Sequence, residues 1–357
     1  MTLEQANIIL ENFGVVATKI APTGNGHIND TYLVCTENSS QYILQRINTS
    51  IFTNPEGLMN NIVAVTSHIK KVFAEIGETK KKTLEFLSTK NNSPLALVDG
   101  NTYRLCKFIN GFSVDRAESP AQLYEAGKAF GNFQKMLSDF DASTLFEVIP
   151  QFHDTANRYR NFEAAVENAS ADRLKDAEEE IAFVRSKKEK ASIVVNGIAD
   201  GSIPLRVTHN DTKINNILFD KQNTCVAVID LDTVMPGSML YDFGDAMRSG
   251  GTTADEDEVD LSKVHFNLEN FEQYVRGYLE EFPTLTEREV ELIPFSAFLL
   301  TYECGMRFLT DYLMNDVYFK IAYPTHNLVR AKNQFALAAD IESKFQDMAA
   351  IMAKYRK

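Results

Sequence analysis

The sequence predicts an α+β fold with two lobes, in which a small antiparallel sheet with one main helix precedes a larger, mostly helical part. Up to residue 109, most apolar segments are short, β-prone and separated by turn-forming residues. Beyond residue 110, apolar residues recur at helical spacing, apart from one short hairpin. We therefore predict lobes at residues 1–109 and 110–357.

The elements of the first lobe follow from apolar spacing and turn residues. Helices are predicted at 3–13 and 54–73, where apolar side chains recur every three or four positions. Strands are predicted at 16–20, 31–35, 41–46, 84–87, 95–98 and 103–109. Asn91-Asn92 and Asp99-Gly100 supply turns between the later strands.

The second lobe is predicted to be helical around one hairpin. Helices are expected at 121–137, at 157–187 as one or two helices, and at 190–200, 292–311 and 327–355. The β-prone segments 217–219 and 226–229 are joined by the polar residues 220–223, which indicates a hairpin.

Composition excludes several classes of function. A chain of 357 residues with 44% hydrophobic residues can bury a sizeable core. Its 36 basic and 49 acidic residues give a net charge of −13, which argues against non-specific binding to nucleic acid or anionic membranes. With no apolar run of bilayer length and no signal-peptide pattern, we expect a cytoplasmic protein. The sequence implies no obligate protein partner. The four cysteines lack a C-x-x-C pattern and are expected to be reduced and buried.

Three oxygen-bearing side chains around the hairpin, Asp211, Asn216 and Asp230, have informative spacing. Residues that flank an antiparallel hairpin lie side by side, so Asn216 and Asp230 should meet. Carboxylate and amide oxygens, completed by nucleotide phosphates, suit Mg²⁺. Asp211, upstream in the same loop, would then face an acceptor hydroxyl and accept its proton, so the sequence predicts a phosphotransfer site.

The pattern H-x-D-x-x-x-x-N, followed about a dozen residues later by a metal-binding Asp, resembles the catalytic arrangement of the kinase superfamily. The triplet His209-Asn-Asp211 is similar to that of the aminoglycoside phosphotransferase-like small-molecule kinases. This resemblance implies a bilobal protein-kinase-like fold that uses ATP and Mg²⁺, with a nucleotide-binding N-terminal lobe and a catalytic C-terminal lobe. It also implies that Asp211 is the base and that Lys213 contacts the transferring phosphoryl group.

Two parts of the first lobe are predicted to contact the nucleotide. The turn Gly24-Asn25-Gly26 would let backbone N–H groups approach phosphate oxygens, although a plain turn has the same pattern. Where protein kinases carry a strand lysine, this chain has Gln45 or Arg46, and a one-residue register decides which of them faces inward.

The end of the last strand of the first lobe is the predicted hinge. Lys107, Phe108 and Ile109 would offer backbone groups to an adenine edge and apolar contact to its face, although an ordinary strand end reads the same way.

A literal Asp-Phe-Gly begins at Asp242, but it follows Asn216 too distantly to hold the metal, and Asp230 has the expected spacing. Asp242 matches a later Asp of the family pattern that braces the catalytic loop. We therefore predict that Asp242 is a buried, hydrogen-bonded carboxylate and that His209 orients the loop.

Further runs resemble the N-acetylhexosamine 1-kinases and extend through most of the chain, at 26–29, 31–34, 152–155, 206–213, 229–233, 235–240, 303–309 and 323–330. This resemblance implies phosphorylation of the anomeric hydroxyl of N-acetylglucosamine or N-acetylgalactosamine. We nominate as sugar contacts Asp232, His27, Asn29, Thr212 and Arg307, with Tyr318 as an aromatic platform. For Arg307, a salt bridge to Glu303 or Asp311 on the same helix is an equal alternative.

Two other functions remain open from the sequence. One is a kinase of another small hydroxyl acceptor, such as an amino alcohol or an antibiotic. The other is a nucleotide-binding pseudoenzyme, suggested by the absent strand lysine. The intact set of Asp211, Asn216 and Asp230 argues against the second.

Overall fold

The computed structural model describes residues 1–24 and 28–356, and the chain forms two compact units. The first unit comprises Met1–Phe112, Thr144–Ile149 and Leu218–Met235, and the second comprises Ser113–Ser143, Pro150–Ile217 and Pro236–Lys357. A small antiparallel sheet together with many helices confirms the predicted α+β fold class.

The first unit continues beyond residue 109 and includes most of the hairpin. Phe112 and Phe219 exchange two backbone hydrogen bonds, with N···O distances of 3.0 and 2.8 Å. These bonds attach the hairpin to the end of the first long segment.

A five-stranded antiparallel sheet with the order β1-β2-β3-β5-β4 forms the centre of the first unit. Its strands are β1 (Lys19–Pro22), β2 (Asp30–Cys35), β3 (Gln41–Arg46), β4 (Ala96–Val98) and β5 (Asn101–Lys107). The register places Gln45 opposite Thr31 on β2 and opposite Arg104 on β5. Because directly opposed residues share a face, these three side chains lie on the same side of the sheet.

Two predicted strands differ in the structure. The strand expected at 16–20 starts only at Lys19. The segment 84–87 forms an isolated bridge between Phe86 and Cys106 rather than a strand. β4 already pairs with β5 as far as Tyr103, so only a short stretch of that strand edge remains for this segment.

Two α-helices pack in the first unit, α1 (Leu3–Leu10) and α2 (Pro55–Ile76). α1 packs into the hydrophobic core with Val34, Leu44 and Leu105 of the sheet. α2 begins where the Asn54 side chain accepts the Gly57 N–H (2.9 Å), and it ends at Gly77, which has a left-handed φ of +71°. These caps set the helix boundaries.

The second unit is built from helices. They are α3 (Pro120–Met136), α4 (Thr155–Asn168), α5 (Ala171–Asp176), α6 (Glu178–Ser186), α7 (Ile193–Ala199), α8 (Met239–Gly250), α9 (Leu268–Glu281), α10 (Glu287–Leu313), α11 (His326–Ser343) and α12 (Phe345–Tyr355). The central helix, α10, packs against α4, α8 and α11. None of the helices in the described ranges combines the length and apolar character that a bilayer crossing requires.

Several helix predictions need correction. The segment 157–187 forms three helices. Ser170 caps the second by accepting the Arg173 N–H (3.4 Å), and the third begins at Glu178. The single helix expected at 327–355 is divided at Lys344 into α11 and α12. α8 and α9 were not predicted, and α8 proves central to the site.

Two small sheets adjoin the loop that carries the predicted catalytic residues. β6 (Arg206–Thr208) pairs with β9 (Met235–Gly237), and β7 (Ile217–Phe219) pairs with β8 (Cys225–Val228). The β7–β8 connection is closed by a hydrogen bond from the Asp220 N–H to the Thr224 carbonyl (3.0 Å). The predicted hairpin is therefore confirmed.

All four cysteines are free thiols. Cys106 and Cys225 are buried, whereas Cys35 and Cys304 are half-buried, so burial is less complete than predicted. Desolvation raises the pKa of Cys106 and of Cys304 to about 11, which keeps both thiols protonated near neutral pH.

Candidate active site

Asp211 lies in the loop after β6, and two side chains of the same loop hold its carboxylate. Asn216 Nδ2 donates to Asp211 Oδ2 (3.0 Å) and to the Asp211 carbonyl oxygen (2.8 Å). Lys213 Nζ lies 2.9 Å from Asp211 Oδ1. The Asp211 side chain is 28% exposed, so its carboxylate is fixed from within the loop and still reaches solvent.

The Lys213 ammonium stays charged in this setting. Burial lowers the pKa of Lys213, but the negative charges of Asp211 and Asp245 outweigh it and raise the pKa above its usual value. A cation therefore accompanies the Asp211 carboxylate at neutral pH.

Two carboxylates one turn apart on α8 hold the backbone of this loop. Asp242 accepts the N–H groups of His209 (2.9 Å) and Asn210 (2.7 Å), one on each oxygen. Asp245 accepts the N–H of Thr212 (3.0 Å). Residues three apart share a helix face, so α8 presents both buried carboxylates to the loop.

The two bracing carboxylates differ electrostatically. Burial raises the pKa of Asp242, while the bonded N–H groups of His209 and Asn210 act in the opposite direction. Burial also raises the pKa of Asp245, but the charges of Arg248 and Lys213 outweigh it and leave the pKa lowered. Arg248 Nε donates to Asp245 at 3.0 Å.

His209 is fully buried, and its ring lies edge-on to the rings of Phe130 and Phe133, with centroid distances of 5.7 and 5.9 Å. The Asp211 N–H donates to His209 Nδ1 (3.3 Å). As the acceptor of that bond, Nδ1 carries no proton. This geometry lets the ring hold the loop.

Thr212 was nominated as a sugar contact, but its side chain is engaged inside the loop. Its hydroxyl donates to the Asp242 carbonyl oxygen (2.5 Å), and the residue is 1% exposed. A sugar contact through this hydroxyl would require that buried bond to break. The structure thus places Thr212 among the residues that hold the loop together.

Asp230 and Asp232 belong to the first unit, just after β8. Asp230 adopts a left-handed conformation, with φ +57° and ψ +60°. Asp232 is buried, lies 2.5 Å from Nη1 of Arg104, and accepts the side-chain N–H of Asn29 (2.6 Å). Two of the nominated sugar contacts, Asp232 and Asn29, are therefore bonded to each other.

The phosphate turn is described only in part. Gly24 has φ +77°, a conformation that glycine adopts without strain. Asn25, Gly26 and His27 lie outside the described residues. The nucleotide and sugar contacts predicted for them stay predictions.

The register resolves the choice between Gln45 and Arg46. Gln45 Oε1 accepts the Arg104 Nε–H (2.9 Å), and its Nε2 donates to the Thr31 hydroxyl (3.2 Å). Arg46 pairs with Asp30 and its side chain is 47% exposed. Gln45 is therefore the residue that shares a face with the buried Arg104.

The predicted hinge follows the end of β5. The Lys107 ammonium pairs with the Glu85 carboxylate, and the Phe108 N–H donates to the Gln41 carbonyl (3.1 Å). Because the Phe108 N–H is already bonded, a backbone contact from Phe108 to adenine would use the Phe108 carbonyl oxygen. Ile109 follows the last residue of this backbone pairing.

Arg307, on α10, packs near two aromatic rings and forms neither of the salt bridges considered for it. Its Cζ is 5.8 Å from the centre of the Phe152 ring and 5.5 Å from that of Phe319. The Glu303 carboxylate instead binds Nδ1 of His153 (2.7 Å) and the Thr155 hydroxyl.

Tyr318 is 68% exposed. Its backbone is held by Asp311, the second residue considered above as a salt-bridge partner of Arg307. The buried Asp311 carboxylate accepts the N–H groups of Val317 (3.0 Å), Tyr318 (2.8 Å) and Phe319 (2.9 Å). With the backbone held in this way, the Tyr318 ring is exposed to solvent, as a ring that stacks against a sugar must be.

A family model described as the phosphotransferase enzyme family matches residues 19–278, which is well over half of the chain. The chain belongs to this family.

Solved structures of similar fold agree with the assignment. An aminoglycoside phosphotransferase from Alicyclobacillus acidocaldarius subsp. acidocaldarius DSM 446 is 14% identical, with a TM-score of 0.63 over 97% of this chain and 95% of that one. A spectinomycin phosphotransferase in complex with ADP and spectinomycin is 11% identical, with a TM-score of 0.60 over 96% and 98%. A choline kinase from Cryptosporidium parvum Iowa II is 12% identical, with a TM-score of 0.57 over 97% and 95%. At these identities the likeness shows the fold, which is the predicted protein-kinase-like fold.

In this phosphotransferase, Asn216 and Asp230 have the donor atoms that a divalent cation requires. Both Asn216 Nδ2 bonds go to Asp211, so the amide oxygen lies on the other branch of the side chain. An amide oxygen and a carboxylate are hard ligands that fit Mg²⁺. The two residues belong to different units, and their predicted proximity stays a prediction.

Sequence reasoning missed several residues of the phosphotransferase that support the site. Asp245 carried a signal, because it lies one turn after Asp242. Arg104 would have been found from the β3–β5 register, which places it opposite Gln45. His153 lies in one of the family-like runs but was given no role, and its pairing with Glu303 needed the fold.

Proposed function

We propose that this phosphotransferase transfers the γ-phosphoryl group of ATP, with Mg²⁺, to the anomeric hydroxyl of N-acetylglucosamine or N-acetylgalactosamine. The product would be a sugar 1-phosphate for amino-sugar salvage. The observation that carries the proposal is the Asp211 carboxylate, oriented by Asn216 and Lys213 on a loop braced by α8. The family-like runs along the chain support the choice of acceptor.

Asp211 is the proposed base. Its carboxylate accepts the proton of the anomeric hydroxyl while that oxygen bonds to the γ-phosphorus, and the bond from the γ-phosphorus to the departing ADP breaks. An anomeric hydroxyl is more acidic than other sugar hydroxyls, so a well-positioned carboxylate suffices. The charged Lys213 beside it would attract the oxygens of the transferring group.

Asn216 and Asp230 would hold Mg²⁺, whose charge neutralises phosphate oxygens of the nucleotide. Their oxygen donors support this role. The other proposed nucleotide contacts are Gly24, Asn25, Gly26, Gln45, Arg46, Lys107, Phe108 and Ile109.

Arg307, the proposed sugar contact, has a second guanidinium group in its surroundings, and the proposal of a neutral acceptor takes both to lie at the acceptor site. Arg158 donates to the Phe152 carbonyl (2.9 Å), and Phe152 also packs against Arg307. Burial, and next the charge of Arg307, lower the pKa of Arg158. Two neighbouring guanidinium groups would bind sugar hydroxyls and repel an amino alcohol or an aminoglycoside.

The test measures ATP consumption with Mg²⁺ against a panel of sugars, amino alcohols and aminoglycosides, and identifies the product by phosphorus NMR. We expect a glycosyl 1-phosphate from N-acetylglucosamine or N-acetylgalactosamine. Asp211→Asn should lower kcat by about 10²- to 10⁴-fold, the usual contribution of a general base. Asp347→Asn, on the exposed side of α12, is the matched control and should retain wild-type turnover.

Turnover on choline or an aminoglycoside alone would contradict the sugar assignment and favour the other acceptor class. Absence of turnover on every acceptor would contradict the catalytic proposal and favour the pseudoenzyme.

A further inference from the structure

The first unit contains a buried arginine on the face of the sheet that Gln45 shares. Arg104, on β5, is 2% exposed. Its Nε donates to Gln45, and its Cζ lies 5.5 Å from the centre of the Phe86 ring. Neither neighbour neutralises its charge. A buried guanidinium is stable only with a well-placed anion.

Asp232 is that anion, and it links separate parts of the unit. One carboxylate oxygen lies 2.5 Å from Arg104 Nη1, and the two side chains are 3% and 6% exposed. The other oxygen accepts Asn29 Nδ2 (2.6 Å), while Asn29 Oδ1 accepts the Asn48 N–H (2.9 Å). The turn after β8 is thereby tied to β5, to the segment before β2 and to the segment after β3.

This anchored turn begins at Asp230, the proposed metal ligand. A left-handed conformation is uncommon outside glycine and persists where the surroundings enforce it. Asp232 fixes the chain two residues later. Beyond it, the Val234 N–H donates to the Leu231 carbonyl (3.1 Å), and the Val234 carbonyl accepts Asn61 Nδ2 (2.8 Å).

The geometry points to the Arg104–Asp232 ion pair as the device that holds Asp230 in place for its cation. Arg104 is thus a positioning residue of the phosphotransferase, an inference that rests on the proposed function. Burial and the Asp232 charge leave the guanidinium unsuited to binding phosphate itself. The pair connects the sheet to the proposed metal-binding turn. In this chain, β3 lacks the lysine that protein kinases carry on the corresponding strand.

The charges of the two carboxylates support this coupling. Burial lowers the pKa of Arg104, but the charge of Asp232 and, to a smaller extent, that of Asp230 outweigh it and raise the pKa. Arg104 therefore stays protonated beside the Asp232 carboxylate.

The first experiment measures Mn²⁺ affinity in the presence of ADP, by electron paramagnetic resonance, for Arg104→Gln and Asp232→Asn. Loss of a residue that orients a metal ligand typically weakens metal binding by about 10- to 100-fold, and we expect this range. The KM for the sugar should change less than twofold in Arg104→Gln. Arg104→Lys, which keeps the charge but not the planar fork, should recover part of the affinity.

A double variant separates positioning from folding. Arg104→Met combined with Asp232→Leu replaces the ion pair by apolar groups of similar size, a change that proteins often tolerate. It should unfold at a temperature close to wild type yet bind Mn²⁺ as weakly as the single variants. Arg185→Gln is the matched control, because it breaks a bidentate pair with Glu163 that belongs to the second unit, whereas Arg104 and Asp232 belong to the first. It should leave Mn²⁺ affinity within twofold of wild type.

A folded double variant that binds Mn²⁺ within twofold of wild type would overturn the inference and leave the proposed function intact. Failure of the wild-type protein to bind Mn²⁺ with ADP would instead overturn the proposed function, and this inference with it.

Discussion

The two oxygens of Asp242 each accept a different backbone N–H of the loop that carries Asp211, from His209 at 2.9 Å and from Asn210 at 2.7 Å. Asp242→Asn replaces one acceptor oxygen by a donor NH₂ group, so one of these buried N–H groups loses its partner. An unsatisfied buried donor costs about 1–3 kcal/mol, and we expect the free energy of unfolding to fall by that amount. Urea denaturation measures it.

The same variant should also lose activity, since the loop that carries Asp211 loses one of its anchors. We expect kcat to fall and the KM for ATP to change little. Asp347→Asn serves as the control for an Asp→Asn change on an exposed helix face. Wild-type stability in Asp242→Asn would show that the loop does not depend on this carboxylate.

At the scale of the element, α8, which braces the loop, lies very close to α10. A Cβ atom on Gly244 would be 2.3 Å from the Ser296 carbonyl oxygen, which is backbone and cannot turn away. The literal Asp-Phe-Gly therefore has a structural explanation. Its aspartate holds the catalytic loop, and its glycine lets the two helices approach.

Gly244→Ala should separate α8 from α10 and displace Asp242 and Asp245 together. Overpacking of this kind costs about 1–3 kcal/mol, and we expect a fall in unfolding free energy of that size with a fall in kcat. Gly250→Ala, on the same helix, is the control, since its added Cβ meets only side-chain methyl groups, of Leu123 at 3.0 Å and of Met247 at 3.8 Å. Equal stabilities of the two variants would refute the close-approach explanation.

For the whole molecule, the proposed ligands should stabilise the folded chain through linkage. ADP at about one hundred times its dissociation constant adds about 2.7 kcal/mol to the free energy of unfolding. We expect a higher Tm with ADP, and a further rise when Mg²⁺ is added. Differential scanning calorimetry with and without EDTA measures both contributions.

The Mg²⁺-dependent rise in Tm should disappear in Asn216→Ala and Asp230→Ala, because each removes one proposed oxygen ligand. Asp347→Asn should keep the full rise. A Tm that does not respond to ADP and Mg²⁺ in the wild-type protein would contradict the proposed nucleotide site.

The sequence by itself determined the fold class, the β7–β8 hairpin and the loop from Asp211 to Asn216. These features depend on local spacing: apolar periodicity, turn residues between short strands, and a five-residue step that lets Asn216 bond to Asp211. Local geometry of this kind is encoded over a few residues, so a linear reading recovers it.

Only the tertiary structure decided which distant groups the loop and turn residues bind. It placed the Thr212 hydroxyl on Asp242 and paired Asp232 with Arg104, although both residues had been nominated as sugar contacts. It also identified α8 as the brace of the loop. The physical reason is that burial forces each polar group to find a partner, and that partner is set by how distant segments pack.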